Sequence, residues 1–349
     1  MQPEQVVQIS PLIRRITAGN GSVFTGPGTN TYLVGHEEVT VIDPGPAMEQ
    51  HIEAILSASK NIKQILVTHT HPDHSPGVRL LKKELDIPAY GMLTNTSKNQ
   101  DTSFNPERIL EDEELFEEEE YTLEVVHTPG HASNHLCFIL REEKFIFTGD
   151  HIMNGSTVVI GPPDGNMDDY LNSLKRLLTL KIDFFAPGHG NFMHEPKKTI
   201  QSIIRHRLAR ESKTIRKLED FGKNTIDELV KHVYDDVPEQ LHPIAKFSLE
   251  AHLIKLIGEN KVKREKERIA FLKKQKKEEE ILKKKKLIQE SRKKSEKKIE
   301  NLKEFKNKVI ESNKNNDKLT QITVINKSDL KAGFTEENQK TESIKEIRE

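Results

Sequence analysis

The chain has 349 residues, enough for one large domain and a smaller one, and its 54 Lys and Arg nearly balance 55 Asp and Glu. A single cysteine excludes an internal disulfide framework and suits a reducing compartment, no apolar run is long enough to span a bilayer, and the start MQPEQVVQISPLIRR lacks the order of a secretory signal, so a cytoplasmic location is expected. The net charge of −1 conceals an asymmetry: residues 261–312 hold 21 Lys and Arg against 10 Asp and Glu, a net of +11, which leaves −12 for the remainder.

Residues 1–195 alternate short apolar runs with Gly/Pro turns and helical patterns, which predicts an α/β domain. NTYLV and EVTVID flank a turn at Gly35–Glu38 and predict an antiparallel hairpin. KQILVT, TLEVVHT, HLCFIL, KFIFTG and DFFAP suit buried strands. Helical spacing covers Met48–Ser59, Gly77–Leu85 and Met167–Leu180, with Ser75-Pro76 as an N-cap followed by Pro at the first helical position. Residues 197–262 turn helical: a long amphipathic pattern closed by Gly222, a capping box at Thr225–Glu228, and a helix opened by Pro243 and ended at Gly258. With a strand-like end at Lys261-Val262-Lys263 these predict a small all-helical or winged-helix domain. Residues 263–312 read as a Lys/Glu-rich solvated helix or weak coiled coil, and 313–349 as a disordered tail.

The chemistry concentrates in THTHPDH, residues 68–74. Neither a solvated loop nor a core has a use for three histidines and an aspartate so close together, whereas metal ligation does. His69 and His71, two apart at a strand end, point to one side; the turn at Pro72 lets Asp73 and His74 face elsewhere. TPGH delivers His131, TGD delivers Asp150 and PGHG delivers His189, each after an apolar strand and a tight turn. Five histidines and two aspartates on four loops suffice for two metals with room for water.

These motifs resemble the series that marks the metallo-β-lactamase superfamily. The resemblance implies an αββα sandwich in which His69, His71 and His131 hold one metal. Asp73, His74 and His189 would hold the second, with Asp150 bridging and Asp43 of VIDPGP orienting ligands. GPGTNTYLVG, GDHIMNGSTVVIGPPDG, YLNSLKRL and VYDDVPEQLHPIAKFSLEAHLIKL look like the beta-lactamase-like protein 2 family over roughly residues 8–262, with a winged-helix-like C-terminal domain. The basic tail inherits nothing from it.

The expected cofactor is a pair of zinc ions, with manganese or iron as alternatives. The expected reaction is hydrolysis by a metal-bridging hydroxide, with Asp73 and Asp150 in catalytic roles. A site of net positive charge favours an anionic substrate. The resembled family includes single-strand-selective endoribonucleases, which makes single-stranded RNA the most specific substrate expected, held by the active site and the basic tail. The alternative is a thioesterase resembling hydroxyacylglutathione hydrolase. A true β-lactamase fits poorly, since the related secreted enzymes place a cysteine where Asp150 stands. His135 is a candidate proton donor but reads more simply as structural, as does His151; Tyr170 and Cys137 read as packed. Arg205, His206, Arg207 and Arg210 form a basic patch read as a solvated face, the alternative being cover for one wall of the cleft.

Overall fold

In the computed structural model of the chain, the described residues are 1–259 apart from 97 and 222–224, together with 261–262, 283–284 and 287–291. The first sheet is built from β1 (Val6–Gln8), β2 (Ile13–Thr17), β3 (Asn30–Val34), β4 (Val39–Ile42), β5 (Ile62–Leu66), β6 (Ala89–Gly91) and β7 (Arg108–Ile109), adjacent in that order. Helices α1 (Glu49–Ala58) and α2 (Gly77–Glu84) follow β4 and β5. The second sheet runs β13-β12-β11-β10-β9-β8, from β8 (Leu115–Glu117), β9 (Thr122–His127), β10 (Leu136–Leu140), β11 (Phe145–Gly149), β12 (Phe184–Pro187) and β13 (Met193–His194). Helix α3 (Met167–Leu177) joins β11 to β12.

Period-two alternation sorts the side chains into layers. On β10, Leu136, Phe138 and Leu140 enter a core that also takes Tyr32 and Val34 of β3, so it lies between the two sheets. Cys137 and Ile139 point the other way, into a cluster with Leu171 and Leu174 of α3. Leu33 of β3 likewise turns from the inter-sheet core to meet Ile52 and Ile55 of α1. Both faces of each sheet are therefore covered, which gives the helix–sheet–sheet–helix sandwich and explains why the central strands read as unbroken apolar runs.

Strand direction places the functional loops. Within the first sheet β4 and β5 are parallel. In the second, β9 and β11 both pair antiparallel with β10, and β12 is parallel to β11, so β9, β11 and β12 point the same way. THTHPDH, TPGH, TGD and PGHG thus leave strands at one end of each sheet.

The C-terminal part of the compact unit Met1–Arg264 is helical: α4 (Pro196–Phe221), α5 (Ile226–Val233) and α6 (His242–Gly258). Thr225 and Glu228 form the expected capping box, and Pro243 lies in the first turn of α6. Leu229, Val233 and Leu249 share a core of their own, while Ala251 of α6 joins Ile200 and Ile203 of α4 in the cluster under α3.

Three expectations change. α2 starts at Gly77, with Pro76 rather than Ser75 as the flanking residue; the Ser75 hydroxyl donates instead to Asp101 Oδ2 at 2.7 Å. Lys261-Val262 is a bend, not a strand end; Lys263 is outside the described residues. β1, β2, β6, β7, β8 and β13 were not anticipated; β7 and β13 have two residues each, too short for a periodic signal. Of the Lys/Glu segment, 283–284 and 287–291 are helical, and the rest of 263–312 and all of 313–349 lie outside the described residues.

Candidate metal centre

His69, His71, Asp73 and His74 follow β5, His131 lies between β9 and β10, Asp150 follows β11 and His189 follows β12. Two turn glycines show why each motif has its form. Gly130 has φ of +143°, and a Cβ there would sit 2.3 Å from the Tyr170 Cα, so the turn before His131 can press against α3 only without a side chain. At Gly149, φ +45°, a Cβ would fall 2.7 Å from Thr68 Oγ1 and 2.8 Å from His135 Nε2, which is the contact between the two sheets beneath Asp150.

All seven expected side chains converge. Three groups have ligand-type atoms within 4.8 Å of one another: His69, His71 and His131; His69, His74 and Asp150; and Asp73, His74 and His189. His71 Nδ1 lies 3.0 Å from both His69 Nε2 and His131 Nε2. His189 Nε2 is 3.2 Å from Asp73 Oδ2 and from Asp150 Oδ1. Asp150 faces both groups, with Oδ1 3.4 Å from His74 Nε2 and Oδ2 3.8 Å from His131 Nε2.

The far side of four imidazoles is tied to oxygen. His131 Nδ1 donates to the Val159 carbonyl at 2.7 Å, and His189 Nδ1 to the Gly28 carbonyl at 3.2 Å. His74 Nδ1 donates to Asp43 Oδ2 at 2.8 Å. The Thr68 hydroxyl donates to the same oxygen at 2.6 Å and so accepts from His69 Nδ1 at 3.0 Å. Each of these rings therefore turns its Nε2 inward, the nitrogen left for a metal once its proton is displaced. His74 Nε2 and Asp150 Oδ1 are buried and lack hydrogen-bond partners, which fits atoms reserved for a cation.

The electrostatics divide the cluster. Burial, reinforced by His74 and His71, holds His69 well below its ordinary value. Burial and then His131 bring His71 down to about 3. On the carboxylate side burial is outweighed: Asp73, Asp150 and Asp43 push His74 well up, and Asp150 lifts His189 to about 10. Burial also opposes ionisation of Asp73, yet His74 and His189 hold it at about 2. They keep Asp150 well below the usual carboxylate range against the same burial. One side thus offers neutral imidazoles, and the other gathers protons where a cation would otherwise balance two carboxylates.

The lesser candidates resolve as follows. His135 is buried, its Nδ1 3.0 Å from Thr128 Oγ1, and its Nε2 accepts the Asp150 N–H at 3.1 Å. It holds the backbone under Asp150. His151 is buried against Tyr170, with ring centroids 4.9 Å apart. Arg205 and His206 are exposed, but Arg207 and Arg210 are buried, which corrects the reading of a solvated patch. Arg210 makes a two-point pair with Asp236 at 2.6 and 2.8 Å, and Arg207 Nη2 donates to the Val158 carbonyl. Thr68 was missed although it opens the motif; a threonine before a histidine run carries no signal of its own.

A helix-covered double sheet with this His/Asp cluster at one end defines a class of metal-dependent hydrolases. Residues 24–189 match the metallo-beta-lactamase superfamily model, and 225–270 match that of the beta-lactamase associated winged helix domain. The atrochrysone carboxyl ACP thioesterase of Aspergillus chevalieri is 33% identical over 274 residues, covering 74% of this chain and 84% of that protein. The beta-lactamase-like protein 2 homolog of Drosophila melanogaster is 31% identical over 277 residues, covering 75% and 93%. The chain belongs to the metallo-beta-lactamase superfamily and is a metal-dependent hydrolase with a winged-helix domain. A metallo-beta-lactamase family protein of Thermus thermophilus has the same fold, with a TM-score of 0.62 at 22% identity over 74% of this chain and 97% of that one. Among the described residues no helix is long and apolar enough to cross a membrane.

Proposed function

We propose that the chain is a thioesterase that hydrolyses a small anionic thioester with an apolar acyl group, using two zinc ions in a reducing, cytoplasmic compartment. The observation that carries the reading is the β2–β3 connection. Val23 and Phe24 stand on it 75% and 63% exposed, and its base is fastened to the cluster. There Thr29 forms a backbone bridge with His189, and its hydroxyl reaches Asp73 Oδ2 at 3.4 Å. An apolar pair left in water on a loop fastened to the cluster suits an acyl chain. The similarity to a protein named as an acyl carrier protein thioesterase supports the same chemistry.

His69, His71 and His131 would hold one ion and Asp73, His74 and His189 the other, with Asp150 facing both. Bound there, divalent ions supply a nucleophile at neutral pH and stabilise negative charge developing on the carbonyl oxygen. Asp73, with 26% of its side chain exposed against 11% for Asp150, is the more open of the two carboxylates and would be the one to accept a proton from the attacking water. His135 cannot protonate a leaving group, because its Nε2 lone pair is engaged by the Asp150 N–H. A thioester has no need of that proton: a free thiol has a pKa near 8.5, so a thiolate departs far more readily than an alkoxide or an amine.

Single-stranded RNA cleavage is the second reading, favoured by the net +11 of residues 261–312. The first 260 residues carry 26 Lys and Arg against 38 Asp and Glu, a surplus that repels a polyanion. The test is a panel on zinc-replete protein: an acyl-coenzyme A, an acyl-glutathione, short single-stranded RNA and nitrocefin. Thioester turnover is expected; cleavage of RNA alone would replace this reading with the nuclease.

A further inference from the structure

The carbonyl that orients His131 belongs to a peptide held by the C-terminal helices. Val159 C=O and Ile160 N–H are the two ends of one planar peptide unit. Its oxygen accepts from His131 Nδ1 at 2.7 Å, and its N–H donates to Ser248 Oγ of α6 at 3.2 Å. The preceding peptide is held too, because Arg207 Nη2 of α4 donates to the Val158 carbonyl. Val158, Ile160, Arg207 and Ser248 are all buried. The Arg207 guanidinium also lies over the Tyr170 ring, 5.3 Å from its centroid, and the Tyr170 backbone abuts Gly130, the residue before His131.

A planar amide fixed at its nitrogen end has little freedom at its oxygen end, so Ser248 and Arg207 act on the imidazole through a short rigid lever. We propose that Ser248 and Arg207 are positioning residues for His131, and that α4 and α6 complete the geometry of the three-histidine side of the metal centre. This rests on His131 being a metal ligand. The winged-helix region is then part of the catalytic machinery irrespective of any contact with substrate.

The test measures zinc binding to metal-free protein by competition with a chromophoric chelator, alongside unfolding of the same metal-free samples. Ser248→Ala should weaken zinc binding about 10-fold, the lower end of the effect of losing an outer partner of a ligating histidine, while Ser248→Thr restores it. Arg207→Met should act in the same direction; should it fail to fold, Ser248→Ala decides alone. In a His131→Gln background Ser248→Ala should weaken zinc binding no further, whereas a general structural loss would add to it. Wild-type zinc affinity in Ser248→Ala, with His131→Gln impaired, would overturn the proposal and leave the ligand reading standing. Wild-type affinity in His131→Gln would overturn both.

Discussion

Asp43→Asn is nearly isosteric and should nevertheless cripple the carboxylate side of the cluster. Asp43 Oδ1 accepts the Thr68 N–H at 2.7 Å; Oδ2 accepts the Thr68 hydroxyl at 2.6 Å and His74 Nδ1 at 2.8 Å. An asparagine can keep only one of these oxygens. Placed at Oδ1, its NH2 would face the buried Thr68 N–H, donor against donor, so the amide must take the Oδ2 position. The Thr68 hydroxyl can reverse its hydrogen, but His74 Nδ1 must then accept, and the ring proton moves to Nε2. That proton points at Asp73 and Asp150, 3.6 and 3.4 Å away, where the lone pair was needed. Losing a buried charge-assisted bond should cost about 1.5–3 kcal/mol of folding stability in the metal-free protein. The wrong tautomer should weaken zinc binding by about 10–100-fold. Denaturant unfolding reads the first effect and chelator competition the second. If the variant binds zinc as the wild type does, the tautomer argument is wrong.

Asp150→Asn should reduce turnover by about 10²-fold or more, because an amide cannot neutralise two cations, while thermal unfolding shifts modestly; near-normal turnover would remove Asp150 from the site. His252 of α6 is fully buried with neither ring nitrogen hydrogen-bonded, Nδ1 lying 4.0 Å from Glu211 Oε2, and burial lowers its pKa to about 3. The unfolded chain takes up this proton below about pH 6.5 and the native state does not, so the stability His252 contributes is present above pH 6.5 and lost toward pH 3, at up to about 1.4 kcal/mol per pH unit. His252→Phe should flatten that slope in urea unfolding between pH 7 and 4; parallel curves for the two proteins would contradict it. Truncation after Ala270, where the winged-helix match ends, should leave small-thioester turnover unchanged and weaken low-salt retention of single-stranded RNA. An unchanged salt dependence would show that the tail is no tether.

Much of the centre was legible because its chemistry is written locally. A strand end, a glycine and a ligand-type side chain lie next to one another in TGD and PGHG, and His69, His71, Asp73 and His74 fall within six positions. HLCFIL was legible as a buried strand, but from Leu136 on it is apolar throughout, so the entry of Phe138 and Cys137 into different cores was not legible. Ser75 shows where such local reading stops: its spacing favoured a cap, but a carboxylate 26 residues away, Asp101, accepts its hydroxyl.

The residue types at the site and the strands that carry them were thus determined by the sequence itself, through apolar runs, turn glycines and ligand spacing, while the two-sheet sandwich was expected only from the motifs' resemblance to a known superfamily. Only the tertiary structure decided which partners those side chains meet. The amphipathic pattern of α4 could not disclose that Arg207 is buried, because the carbonyl that satisfies it, on Val158, is 49 residues away in the chain. A hydrogen bond to a backbone oxygen leaves no trace in residue type, since every residue has one. For the same reason His131 could be read as a candidate ligand from TPGH, while the peptide that aims it, held by Ser248 of α6, came into view only once the helices and the sheet had met.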